Sequence, residues 1–325
     1  TRKGLACYTD RHAAVRSPLA SRSGDFETSW LKLAHDTEMF LHLGVEQLPS
    51  QLREVPALFS QVLANVDTLQ SRPSKMVKVV LRDAAQTELW SAAHNRDVFK
   101  PQVARGGLQQ ILNESLDFKA IEDMYFASAQ NISHDALCAG SGGWVVVDDV
   151  FTPEALEALR TYLTSSTFYY FPKFGGHYLS SLLEDGMSDP LIADVVEALE
   201  KQLPRMLSGH PLLTAWAFKF DNLLNDSAEA PGKQLGVGVH ADSAAVNLNF
   251  WPIHAEAGDE GGMTLYSVGA PADMPFAEYN NPKYLQEVLA GATKVHIPYR
   301  ANRMVIFNSN LLHETGKLHF GPGYL

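Results

Sequence analysis

A change of period part-way along the chain constrains its fold more than any other feature. Up to about residue 140, apolar residues recur at helical spacing. Trp30, Leu33, Ala34 and Leu41 fall on one side of such a segment, with Gly44 as its stop signal. Residues 53–69 and 81–94 read the same way. The texture changes at Gly140-Ser-Gly-Gly, where a short β-branched run, Trp144-Val-Val-Val, precedes Thr152-Pro-Glu-Ala. Threonine as N-cap and proline at the first helical position predict a helix there, and a second is predicted from Pro190 to Leu203. From about residue 214 the period is two: Ala215-Trp-Ala-Phe-Lys-Phe, Val246-Asn-Leu-Asn-Phe-Trp, Met263-Thr-Leu-Tyr, Lys294-Val-His-Ile and Arg303-Met-Val-Ile-Phe-Asn. Short strands divided by turn residues predict an antiparallel sandwich or barrel. Helices first and strands afterwards predict an α+β chain: a mainly helical region over 1–140 and a β-rich domain with supporting helices over 141–325.

At 325 residues and 46% hydrophobic, the chain is long enough for one large domain or two modest ones. A net charge of −11 argues against a general nucleic-acid binder, because the phosphate backbone would be repelled. The local basic stretch of Arg72, Lys75, Lys78 and Arg82 reads as a solvated face. No run is long and apolar enough to cross a membrane, and no charged stretch followed by an apolar one opens the chain. The two cysteines, Cys7 and Cys138, fit no zinc spacing and build no disulfide framework, so a reducing, cytoplasmic setting is expected. The start at Thr1 and the turn-like end at Phe320-Gly-Pro-Gly-Tyr-Leu read as cut ends of a longer protein.

The chemistry concentrates in His240-Ala241-Asp242. On a strand, residues two apart point the same way, so an imidazole and a carboxylate converge on one ion. Two histidines and a carboxylate suit Fe(II) and leave coordination positions open. The tripeptide alone is weak, since chance supplies nearly one His-x-Asp in a chain with 12 histidines. His254-Ala255-Glu256 is a rival, but it lies in a loop-like segment and offers a less rigid platform. A third ligand is expected from His313, which ends a late strand 73 positions after His240, with His319 as the fallback. His296 reads as a packed or surface histidine. His35 and His42, two helical turns apart, read as too distant to share a metal. Asn247 and Asn249 share a strand face and are candidates to touch a co-substrate, with a solvated face as the alternative. Lys219 reads as a snorkelling lysine or, less readily, as a carboxylate anchor. The aromatic run from Phe168 to Tyr178, with its Gly175-Gly176 pair, reads as packing or as a lid.

Four ordered blocks carry a family resemblance. They are Trp216-Ala-Phe-Lys-Phe-Asp, then Val239-His-Ala-Asp-Ser-Ala-Ala-Val-Asn-Leu-Asn-Phe-Trp, then Gly261-Gly-Met-Thr-Leu-Tyr, then the run from Ile297 to Thr315. Together they resemble the 2-oxoglutarate/Fe(II)-dependent oxygenase superfamily, in its prolyl-hydroxylase-like branch, over roughly residues 141 to 325. The resemblance implies a double-stranded β-helix (jelly-roll) core and a dioxygenase that hydroxylates a peptide, protein or small molecule with release of succinate and CO₂. It also implies His240, Asp242 and His313 as iron ligands, 2-oxoglutarate and O₂ as co-substrates, and room for ascorbate as an auxiliary reductant. Relatives carry an Arg or Lys on the last core strand for the far carboxylate of 2-oxoglutarate. Here Lys317 is the one Lys or Arg after His313. It lies too close, so the domain is expected to lack its last strand. Two alternatives stay open: a non-catalytic binding module on the same barrel, and a divalent-metal hydrolase.

Overall fold

The computed structural model describes residues 24–70, 76–132, 142–173, 178–220, 236–253, 261–271 and 274–316. Cys7, Arg72, Lys75, Cys138, the Gly175-Gly176 pair, the rival His254-Ala255-Glu256, Lys317 and His319 lie outside them.

In the N-terminal region, β1 (Asp25–Ser29) leads directly into α1 (Trp30–Leu43), which Ser29 caps by accepting from the Lys32 backbone N–H at 3.1 Å. Helices α2 (Val55–Gln70) and α3 (Ala84–Ala93) follow, on either side of β2 (Met76–Val80). Strands β1 and β2 pair antiparallel, so the region predicted as mainly helical also holds a two-stranded sheet. Its core gathers Leu33, Phe40, Phe59, Trp90, Val77 and Val79. Lys78 and Arg82 of the basic stretch both reach Asp25, at 3.2 and 3.5 Å.

A second core crosses position 140. Ile121 and Tyr125 of α4 (Phe118–Ser128) pack with β3 (Trp144–Val147) and with α5 (Pro153–Ser165) and α6 (Pro190–Gln202). The starts of the last two helices follow their sequence signals: Thr152 accepts from Ala155 N–H at 3.2 Å, Asp189 from Leu191 N–H at 3.1 Å, and each cap precedes a proline. In the aromatic run, Phe168, Tyr169 and Tyr170 are buried in this core, while residues 174–177 lie outside the described residues.

The remaining strands are β4 (Phe171–Lys173), β5 (Tyr178–Leu182), β6 (Trp216–Phe220), β7 (Val246–Trp251), β8 (Gly262–Gly269), β9 (Lys294–Pro298), β10 (Arg303–Asn308) and β11 (Leu311–Thr315). They form three antiparallel sheets, ordered β3-β10-β7, β11-β8-β9 and β4-β5-β6. The first two sheets face each other across Met263, Leu265, Ile297, Val305 and Phe307. Strand β10 is paired on both edges, and Met304 through Phe307 are buried on both faces, which is why it reads as an unbroken apolar run. Its entry turn is set by Asn302, at φ 62°, whose side-chain amide bonds both the N–H and the C=O of Phe151 at 2.9 Å. At the start of β8, a Cβ on Gly262 would stand 2.1 Å from the Ile297 carbonyl oxygen, so only glycine lets β8 and β9 approach there.

Among the described residues the sandwich is not closed. Among the described residues β6 pairs only with β5, and β7 only with β10, so the two sheets that end on these strands remain separate. Among the described residues the strands form an open jelly-roll-like sandwich rather than a complete double-stranded β-helix.

Candidate metal centre

The site is assembled where residues 237–242 run alongside β11. His240 and His313 exchange both backbone hydrogen bonds, at 2.9 and 2.8 Å, which sets them directly opposite each other. Opposed residues of such a pair share a face, with Cα atoms about 5.5 Å apart. Their ring centroids lie 4.2 Å apart. Two residues on, the Asp242 N–H donates to the Ser309 carbonyl at 3.0 Å, holding this segment against the turn between β10 and β11. The Asp242 carboxylate then sits between the two rings, 3.6 Å from His240 Nε2 and 3.4 Å from His313 Nε2.

These three residues form the one group of three or more His, Cys, Asp or Glu among the described residues with ligand atoms all within 4.8 Å of one another. Bonds of about 2.1 Å at right angles to a shared ion put neighbouring ligand atoms about 3 Å apart, close to the separations seen.

The outer partners suit a metal as well. Each ring offers Nδ1 to a backbone carbonyl, His240 to Gly238 at 2.8 Å and His313 to Leu311 at 2.9 Å. With Nδ1 carrying the proton, each Nε2 lone pair faces the carboxylate, the tautomer that metal ligation requires. Burial, then the nearby His313 ring, holds the His240 imidazole below its ordinary pKa and so neutral near pH 7. Burial pushes the Asp242 carboxyl up, but His313, His240 and Asn247 together hold it below the usual carboxylate range. Asn247 donates its amide N–H to Asp242 Oδ2, and its own carbonyl accepts the Ser309 hydroxyl at 2.8 Å, which fixes which way the amide points. Asn249, on the same face of β7, turns its amide toward the Met263 sulfur at 3.8 Å.

The other candidates lie apart from this group. His296 is 3.4 Å from the Thr264 hydroxyl on the neighbouring strand. His35 meets the Asp36 carboxylate at 3.0 Å within its own helix. Lys219 does not snorkel outward: it is half-buried, its ammonium lies 3.4 Å from the Thr164 carbonyl and 5.6 Å from the centre of the Tyr169 ring, and burial holds it well below the ordinary lysine range. Sequence reasoning missed Ser309, whose position immediately past a buried strand carries no signal of its own. A cavity of about 650 Å³ adjoins the centre; Asn247, Asn249, Thr315 and Lys219 all line it.

No protein-family model matches the chain, and no curated protein matches it. Solved structures similar to it include the non-heme alpha ketoglutarate dependent carbocyclase SnoK from nogalamycin biosynthesis, at 15% identity and a TM-score of 0.38 over 59% of this chain and 80% of that one. The non-heme alpha ketoglutarate dependent epimerase SnoN from the same biosynthesis is similar at 15% identity and a TM-score of 0.39, over 61% of this chain and 75% of that one. At such scores the likeness covers part of a fold, and the reading of the centre rests on its own geometry. No described helix is long and apolar enough to cross a membrane.

Proposed function

We propose that this chain is a non-haem Fe(II), 2-oxoglutarate-dependent dioxygenase that hydroxylates a peptide, protein or small-molecule substrate. One observation carries the reading: two Nε2 atoms and one carboxylate converge with no lysine or arginine among the groups that act on them. Iron with a bound 2-oxo acid supplies oxygen activation, coupling decarboxylation to succinate and CO₂ with oxidation of the substrate. The protein's part is positional. His240 and His313 present Nε2 donors, each ring locked by a carbonyl behind it, and Asp242 presents a carboxylate oxygen whose direction Asn247 sets. Three protein ligands leave further positions for co-substrates. Asn249, on the cavity side of the centre, is assigned to the co-substrate, while Asn247 serves it through Asp242.

The test is succinate formation by the full-length protein supplied anaerobically with Fe(II), then with 2-oxoglutarate and O₂. Succinate formation abolished by His240→Ala and by Asp242→Ala supports the reading. Turnover that survives either substitution, or that runs on zinc without 2-oxoglutarate, sinks it.

A further inference from the structure

Among the described residues, the segment that carries two of the three ligands lies in none of the sheets. His240 uses both its backbone groups on His313, and Asp242 N–H reaches the Ser309 carbonyl. Successive residues of an extended segment turn their backbone groups to opposite sides, so Ala241 faces away from β11. Ala241 is fully buried, packed with Leu312, Ala270 and Tyr279. Its N–H and C=O are therefore out of reach of water and need partners from the protein.

One side chain supplies both. The Asn280 carboxamide oxygen accepts from Ala241 N–H at 2.9 Å, and its amide nitrogen donates to Ala241 C=O at 3.0 Å. A primary amide presents an acceptor beside a donor, as a neighbouring peptide would, and at neutral pH only Asn and Gln side chains do so. The two groups it holds belong to different peptide planes. Ala241 N–H lies in the plane shared with His240, and Ala241 C=O in the plane shared with Asp242. The clamp thus spans the whole link between two ligands. Asn280 is itself held from both sides. It ends α7 (Phe276–Tyr279), whose Tyr279 is buried against Ala241, and it precedes Asn281. Asn281 caps α8 (Pro282–Leu289) by accepting from Lys283 N–H at 2.9 Å.

We propose that Asn280 is a positioning residue of the metal centre, its carboxamide serving the ligand segment in place of a neighbouring strand. Its two hydrogen bonds fix the peptide planes on which His240 and Asp242 are mounted, and so the angle at which their side chains meet an ion. Asn247 and the carbonyls behind the rings orient side chains; Asn280 orients the backbone between them. The inference rests on the metal centre and not on the reaction proposed for it.

The test is Co(II) titration of the metal-free full-length protein, followed by visible absorption, which reports the ligand arrangement as well as the affinity. Asn280→Leu is similar in size and removes both bonds. It is expected to weaken Co(II) binding about 10–100-fold and to shift the absorption of the bound metal. Asn281→Ala is the structural control, since it removes only the cap of α8 and should leave affinity and absorption as they were. Unaltered affinity and absorption in Asn280→Leu overturn the proposal. So does an equal loss in Asn281→Ala, which would make general loosening of this loop the cause. Co(II) binding that survives Asp242→Ala overturns the centre and the proposal with it. Binding lost in Asp242→Ala but unchanged in Asn280→Leu overturns the clamp alone. Because Asn280→Leu can fail to fold, amide exchange in the unaltered metal-free protein is the second arm. Ala241 N–H should exchange about 100-fold more slowly than an open amide, or slower still. Exchange there at the open rate overturns the proposal.

Discussion

Asp36 and Asp242 are both aspartates set among histidines, and they meet their charge in different ways. Asp36, on α1, is buried with its own cation: Lys32, one turn earlier, donates directly to Asp36 Oδ2, and His35 closes the other oxygen at 3.0 Å. Burial pushes the Asp36 carboxyl up, and Lys32 and His35 together more than offset it. Asp242, held against β11, has two histidines and an amide around it and no lysine or arginine. The first cluster is electrostatically closed by protein. The second presents donors without a cation, which is the condition of a metal site. Composition does not separate the two; the presence or absence of an internal lysine does.

The largest effect should come from removing a ligand. Asp242→Ala is expected to lower iron-dependent succinate formation by roughly a thousandfold or more, while Asp36→Ala leaves iron affinity as it was. Calorimetric titration with Fe(II) under anaerobic conditions checks both, and a comparable loss in the two variants would break the contrast.

Stability should answer in reverse. Asp36→Ala strands a buried ammonium and is expected to cost about 3–5 kcal/mol in urea unfolding of the metal-free protein. Asp242→Asn, measured the same way, should change stability by less than about 1 kcal/mol, since no lysine or arginine is left unpaired and the amide keeps a polar group in place. Equal costs for the two would mean that Asp242 is a structural residue.

The outer partner gives a smaller effect. Asn247→Ala frees the Asp242 carboxylate to rotate and is expected to weaken metal binding about 10–100-fold with little change in unfolding. Ser309→Ala acts one bond further out, so its effect should be smaller. A larger loss from Ser309 than from Asn247 would show that the Ser309 hydroxyl serves the centre by another route.

These outer partners also mark where reading the sequence stops. The helices that begin at Pro153 and Pro190 were legible because cap and proline are local signals, and β10 was legible because a strand buried on both faces needs an unbroken apolar run. The His240-x-Asp242 pair and distal His313 were legible as converging ligands; the strand expected over His240 to Asp242 is instead an isolated bridge, formed by the backbone exchange between His240 and His313. The pairing of β1 with β2 joins stretches about fifty residues apart, and nothing local in Asp25–Ser29 names Met76–Val80 as its partner. Lys32 and Asp36 are readable as a helical ion pair, yet the same spacing serves an exposed helix face equally well. Lys219 was misjudged for a like reason: whether a lysine on an alternating strand reaches solvent is decided by what covers it, here Tyr169 and the end of α5.

The smallest effect separates the clusters by pH. Burial, then the charge of Lys219, pulls the His35 pKa down to about 4. Burial and Lys32 pull His94, stacked on Trp90 at 4.9 Å, down to about 3. The ordinary histidine value is 6.5, so between that pH and about 4 the unfolded chain binds protons that the folded chain refuses. Their contribution to stability is therefore whole above pH 6.5 and is lost as pH falls, by up to about 1.4 kcal/mol per pH unit for each histidine. His94→Gln, which keeps a polar group near Thr28, should flatten the fall between pH 6 and 4.5 by about that amount in unfolding measured with a chelator present. Iron affinity at pH 7 should be unchanged in the same variant, because His94 belongs to the cluster that its own lysine already closes. A His94→Gln protein that unfolds with the original pH slope would place the acid sensitivity elsewhere and remove protonation as a way to tell the two clusters apart.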